Sequence, residues 1–150
     1  KKMKALETLK HFMGPGQRHA VMCGLRGEER QFFTDKMAEL ANIVEGMPLS
    51  YQTQDQGDNA VAFLHYFAGG QASWWITERD MGSDEDAEAD KGRQVQAFGL
   101  ADLFGDGGEL GYISIEEILQ NGGELDFYFR PKTLGAIRGK VAAPRHAFNE

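Results

Sequence analysis

The sequence predicts a single α+β domain, residues 1–150: a mostly antiparallel sheet of four to five strands packed against a long helix in the N-terminal half. Three observations lead there. Residues 28–45 carry one apolar stripe at helical spacing, formed by Phe33, Met37, Leu40, Ala41 and Val44. From residue 60 onward the apolar pattern changes to a period of two, in five short segments separated by glycine-rich, acidic or helical stretches. The chain has 150 residues, 41% of them apolar and 11% aromatic, with neither an internal repeat nor a domain linker.

Taken in order, Met3, Leu6, Leu9 and Phe12 or Met13 predict a first helix over 2–12, ended by Gly14-Pro15-Gly16. The piece around "RHAVMCGL" has no clear period. In the 28–45 helix, Glu28 and Glu29 stand at the positive N-terminal end, and Gly46 and Pro48 stop it. "SYQTQDQGDN" reads as a loop. "AVAFLHYF" (60–67) and "ASWWITER" (72–79) form a hairpin through "AGGQ". "RQVQAFGLADL" (93–103), "ELGYISI" (109–115) and "ELDFYFRP" (124–131) supply the third, fourth and fifth strands. Between the last two, Ser114 and Glu117 have the spacing of a capping box that opens a short helix, ended by Gly122 and Gly123. A last short helix starts at Thr133 and stops at Gly139. The 1–13 helix and the 140–150 tail are expected to be peripheral.

Composition narrows the classes of function. One cysteine, Cys23, excludes an internal disulfide and a thiolate-rich zinc site; it fits a reducing cytoplasm and is equally compatible with any other compartment. No apolar run approaches the roughly 18 residues that span a bilayer, and the lysine-rich start leads into an amphipathic pattern, unlike a signal peptide. The net charge is −7. Six acids (Asp80, Asp84, Glu85, Asp86, Glu88, Asp90) fall between 80 and 90 with no base among them, so the rest of the chain is close to neutral. Direct binding to a phosphate backbone needs clustered Lys and Arg, which the chain lacks beyond "KKMK", so nucleic acid is not an expected ligand. No cofactor is expected either.

The stretch "QVQAFGLADLFGDGGELGYISIEEI" gathers Asp102, Asp106 and Glu109 among glycines. A phosphate loop would lead into a helix and carry a Lys, whereas "FGDGGELG" leads into a strand and has none. A calcium loop would alternate ligands and close on a Glu, which neither this stretch nor "DMGSDEDAEADK" does. Two readings remain: a glycine-rich hairpin turn whose acids supply turn hydrogen bonds, and an acid–base site using Asp102 and Glu109 with Tyr112 nearby. Trp74 and Trp75 point to opposite faces of their strand, so one belongs to the core and the other is a candidate binding residue. His65 reads as a structural histidine. Glu78 or Asp126 can pair across strands with Arg130. No nucleophile elbow, H-E-x-x-H or Ser/His/Asp spacing appears.

"WWITERD", "QAFGLADL", "ELGYISIEEI" and "LDFYFRPKTL" together resemble the signature segments of a domain-of-unknown-function family carried by bacterial plasmids, integrative elements and phages. The likeness covers residues 74–134, with "FGDGG" departing from a shorter loop in that family. It implies a bacterial or phage cytoplasmic protein from an accessory gene and assigns no catalytic residue. The expectation is therefore a non-enzymatic protein-binding module that engages a host or element-encoded protein. It would use Trp74 or Trp75 together with the acidic strip Asp84, Glu85, Asp86 and Glu88 as a decoy or nuclease inhibitor. A small acid–base enzyme at 102–112 is the alternative.

Overall fold

A computed structural model of the chain describes residues 2–139; the tail expected at 140–150 lies outside the described residues. Three helices come first: α1 (Lys2–Thr8), α2 (Pro15–Gly24) and α3 (Arg30–Gly46). Then follow β1 (Val61–Ala62), β2 (Leu64–Ala68), β3 (Ala72–Glu78), β4 (Ala97–Asp102) and β5 (Glu109–Ile113). The described chain closes with α4 (Ile115–Gln120), β6 (Glu124–Leu125), β7 (Lys132–Thr133) and a final helical turn, α5, over 134–139.

The main sheet is antiparallel throughout, in the order β5-β4-β3-β2-β6, and β1 pairs with β7 in a separate two-stranded ribbon. Each hairpin joins neighbours in sequence, so the register runs Leu64 to Ile76, Trp75 to Leu100 and Leu100 to Leu110 across the sheet. Gly99 sits at the tightest approach, where a Cβ would collide with the Trp75 carbonyl oxygen. A register shift between Ile76 and Glu78 bends the end of β3.

Alternation splits the sheet into two faces. Leu64, Tyr66, Ile76, Ala97 and Ile113 bury against Met37, Leu40, Ala41 and Val44 of α3, with Leu9 and Phe12 at the end of α1. The Tyr66 hydroxyl donates to the Phe12 carbonyl at 2.6 Å, and burial pushes its phenol well above the usual range. On the opposite face Trp75, Leu100 and Leu110 pack against Ala60, Ala62, Phe129, Leu134 and Ile137. Both faces are therefore covered, one by helices and the other by the β1–β7 ribbon and α5. At the β6 edge the Gln17 side chain donates to the Leu125 carbonyl at 3.0 Å and accepts its N–H at 2.8 Å, standing in for another strand.

Several sequence expectations change, and the first is the peripheral place of 1–13: α1 ends at Thr8, and Leu9, Phe12 and Met13 are buried in the main core. "RHAVMCGL" is helical, part of α2, because Pro15 is not a stop but the first helical residue, where its missing N–H costs nothing. The 60–67 strand breaks at Phe63, so that β1 leaves the main sheet to pair with β7. The 93–103 strand starts only at Ala97. The fifth strand shrinks to Glu124–Leu125, since the Asp126 side chain accepts the Tyr128 N–H at 2.9 Å and turns the chain out of the sheet.

Candidate functional site

The glycine and acid cluster is a turn held together by one carboxylate. Asp102, at the end of β4, is 3% exposed. Its Oδ1 accepts the N–H groups of Gly105 at 2.7 Å and Asp106 at 3.1 Å, and its Oδ2 accepts that of Gly107 at 3.2 Å. Gly105, Gly107 and Gly108 all take positive φ, which lets the amides converge. Burial pushes the Asp102 carboxyl up, but the amides of Gly107, Gly105, Asp106 and Phe104 outweigh it and hold it below the usual range. That is the opposite of what a general acid needs. Glu109 and Tyr112 are both exposed on β5, where Glu109 pairs with Ala101 and Tyr112 with Phe98, on opposite faces of the sheet. The structure does not gather the three into one acid–base site.

A second buried carboxylate builds an exposed feature. Glu78, fully buried where β3 bends, accepts the N–H of Tyr51 at 2.6 Å, the N–H of Thr53 at 2.9 Å and the Thr53 hydroxyl at 2.8 Å. The loop so pinned carries Tyr51 at φ 71°, the one non-glycine residue with positive φ among the described residues. Tyr51 is 63% exposed. Its ring meets that of Tyr112 edge to face at 6.4 Å, and Tyr112 meets Phe98 likewise at 5.6 Å. Gln54 donates to the Tyr112 hydroxyl at 2.7 Å. Exposed Met81 extends this aromatic ledge, its N–H donating to the Ser50 hydroxyl at 3.1 Å.

The acidic loop begins beside that ledge. Asp80 accepts the N–H groups of Gly82 and Gln96, and buried Gln94 clamps the loop's base by accepting the Asp80 N–H and donating to the Asp80 and Gly92 carbonyls. Asp86 turns inward enough to accept the Ser83 N–H at 3.1 Å. Asp84, Glu85, Glu88 and Asp90 remain exposed on this loop. The strip expected from sequence thus separates into two acids that shape the loop at short range and four that face water.

Neither tryptophan is an exposed sheet residue. Trp74 packs against the helix-side core and Trp75 against the second cluster, both half-buried. Trp75 also stacks on His65, with ring centres 5.1 Å apart and planes 17° from parallel. His65 in turn joins two residues that the sequence keeps apart. Its Nδ1 lies 2.9 Å from Asp126 Oδ2, and its Nε2 lies 3.0 Å from Ser73 Oγ. With Glu78 engaged by the Tyr51 loop and Asp126 by His65, the cross-strand pairs expected with Arg130 do not form. Sequence reading singled out His65, Asp126 and Glu78 but not the partners they take; only strand register brings Ser73 beside His65, and only the turn after β6 returns Asp126 to it.

Among the described residues no three of His, Cys, Asp and Glu gather as a metal site, and no helix is long and apolar enough to cross a membrane. Comparison with known proteins finds no match to a family model, to a curated protein or to a solved structure.

Proposed function

We propose that this chain is a protein-binding accessory module of a bacterial mobile element or phage, acting in the host cytoplasm on a basic partner surface. The observation that carries the reading is Tyr51. A bulky side chain at positive φ costs on the order of 1 kcal/mol or more, and such strain persists only where surrounding contacts enforce it. Here buried Glu78 enforces it, and the result is an aromatic ring held in solvent. Tyrosine suits an interface because it offers a large, rigid apolar area with a polar tip.

The neighbouring acids give the partner its sign. Exposed Asp84, Glu85, Glu88 and Asp90 repel phosphates and attract Lys- and Arg-rich surfaces, such as the nucleic-acid groove of a host nuclease. Blocking a defence nuclease would suit the mobile-element family that residues 74–134 resemble. The ledge meets the base of the acidic loop at Met81 and Ser50, and on this proposal the two act as one face, apolar anchors with a charged rim.

The test compares pull-downs from bacterial hosts with the wild-type chain, Tyr51→Ala, and a variant with Asp84, Glu85, Asp86 and Glu88 replaced by Ser. The same partner should be weakened about tenfold or more by Tyr51→Ala, with melting unchanged. It should lose its salt dependence in the four-fold variant. A partner held equally by all three folded proteins would move the interface elsewhere.

A further inference from the structure

Away from the proposed binding face, Ser73, His65 and Asp126 form an ordered relay. A carboxylate can only accept, so Nδ1 of His65 carries its proton toward Asp126. The neutral ring then has its lone pair on Nε2, where the Ser73 hydroxyl lies 3.0 Å away. The hydroxyl therefore donates to the imidazole. This is the arrangement that activates a serine: base on Nε2, orienting acid on Nδ1. The ring is kept in place by the Trp75 stack and by Phe67 and Phe129, with centres at 6.1 and 5.7 Å. Ser73 is half-buried on β3, so its hydroxyl is neither sealed in the core nor loose on the surface.

We infer that Ser73 is a nucleophile for acyl transfer, with His65 as its base and Asp126 as the residue that positions the base. The substrate class is a small neutral carboxylic ester with an apolar or aromatic group. Three observations choose it. A groove of about 360 Å³ lined by Phe32, Phe33, Tyr128 and Phe67 reaches Asp126. Phe67, one wall of the groove, is the cross-strand partner of Ser73 and so adjoins the nucleophile, although Ser73 and His65 do not themselves line the groove. The groove is also lined by the carboxylates Glu124 and Asp126, which disfavour anionic substrates such as phosphoesters.

The step balances without a further reagent. Ser73 Oγ bonds to the acyl carbon as its proton passes to His65 Nε2. The alcohol then leaves with that proton, giving an acyl-serine and neutral imidazole. Water attacks the acyl-serine, His65 takes its proton and returns it to Oγ, and a carboxylic acid is released.

The experiment treats the full chain with a fluorophosphonate, which forms a Ser–phosphorus bond with loss of fluoride, and locates the adduct by peptide mass spectrometry. Hydrolysis of short p-nitrophenyl esters is followed in parallel. The adduct should fall on Ser73 and vanish in Ser73→Ala, an almost isosteric change that keeps the fold. Labelling should drop by about 100-fold or more in His65→Gln, in line with the usual share of a general base. Asp126→Asn should lower it while altering its pH profile, because a carboxamide can stabilise the wrong tautomer; a purely structural role would leave the profile of the folded protein unmoved. Circular dichroism of each variant establishes that it is folded before rates are compared. An adduct absent from Ser73, or one formed equally fast in folded His65→Gln, would overturn the inference.

Discussion

At the scale of single residues, two buried carboxylates show how one chemical group serves different ends. Glu78 and Asp102 both spend their charge on backbone amides, and each fixes the geometry of a loop that no apolar contact could define. Asp102 allows a direct check. Its carboxyl is depressed in the folded protein relative to an ordinary value of 3.8. The charge therefore stabilises the fold at all pH values above that ordinary value, and the contribution is lost as pH falls through the lower folded-state value. Asp102→Asn keeps the shape and removes the charge, and should cost about 2 kcal/mol near neutral pH. Urea unfolding at pH 7 and again near pH 3 should show the gap to wild type narrowing under acid; a gap independent of pH would mean that the charge itself contributes nothing.

At the scale of elements, α3 is the main buttress of the sheet. Leu40 is 2% exposed at the centre of its apolar stripe, and a buried Leu or Phe contributes roughly 1.5–3 kcal/mol. Leu40→Asp adds the cost of an unpaired buried charge and should abolish cooperative thermal unfolding. Survival of a wild-type transition in a calorimetric scan would mean that α3 is not docked. Periodicity made this helix readable, as it did β2 to β5, and local chemistry announced α4, where the Ser114 hydroxyl accepts the Glu117 N–H at 3.1 Å. Reading failed where one residue has two opposite uses. Pro15 both stops helices and starts them, and "DFYF" alternates like a strand until the Asp126 side chain captures the Tyr128 amide. The relay was less legible still. Ser73, His65 and Asp126 meet only through the register of β2 on β3 and a turn far along the chain, and no local spacing encodes that meeting. Tyr51 gave no sign either, because its unusual φ is imposed by Glu78 from a distant strand.

At the scale of the whole molecule, the β2–β5 meander and the β1–β7 ribbon differ in how far apart their partners lie in the chain. Each meander hairpin closes between neighbours, whereas Val61 meets Thr133, and the Leu134 N–H reaches the Ala60 carbonyl at 2.9 Å, from opposite ends of the sheet-forming sequence. Local contacts can form before the rate-limiting barrier, and contacts that close a long loop tend to form after it. The ribbon then acts as a clasp on the time axis. Ile76→Val in the meander should slow refolding, while Leu134→Ala beside the ribbon, losing about 2–5 kcal/mol, should mainly speed unfolding. Stopped-flow measurements in urea would place each change on one arm of the chevron, and the reverse assignment would put the clasp in the folding nucleus. A clasp that closes last sets how long a folded molecule survives before it next opens to a protease.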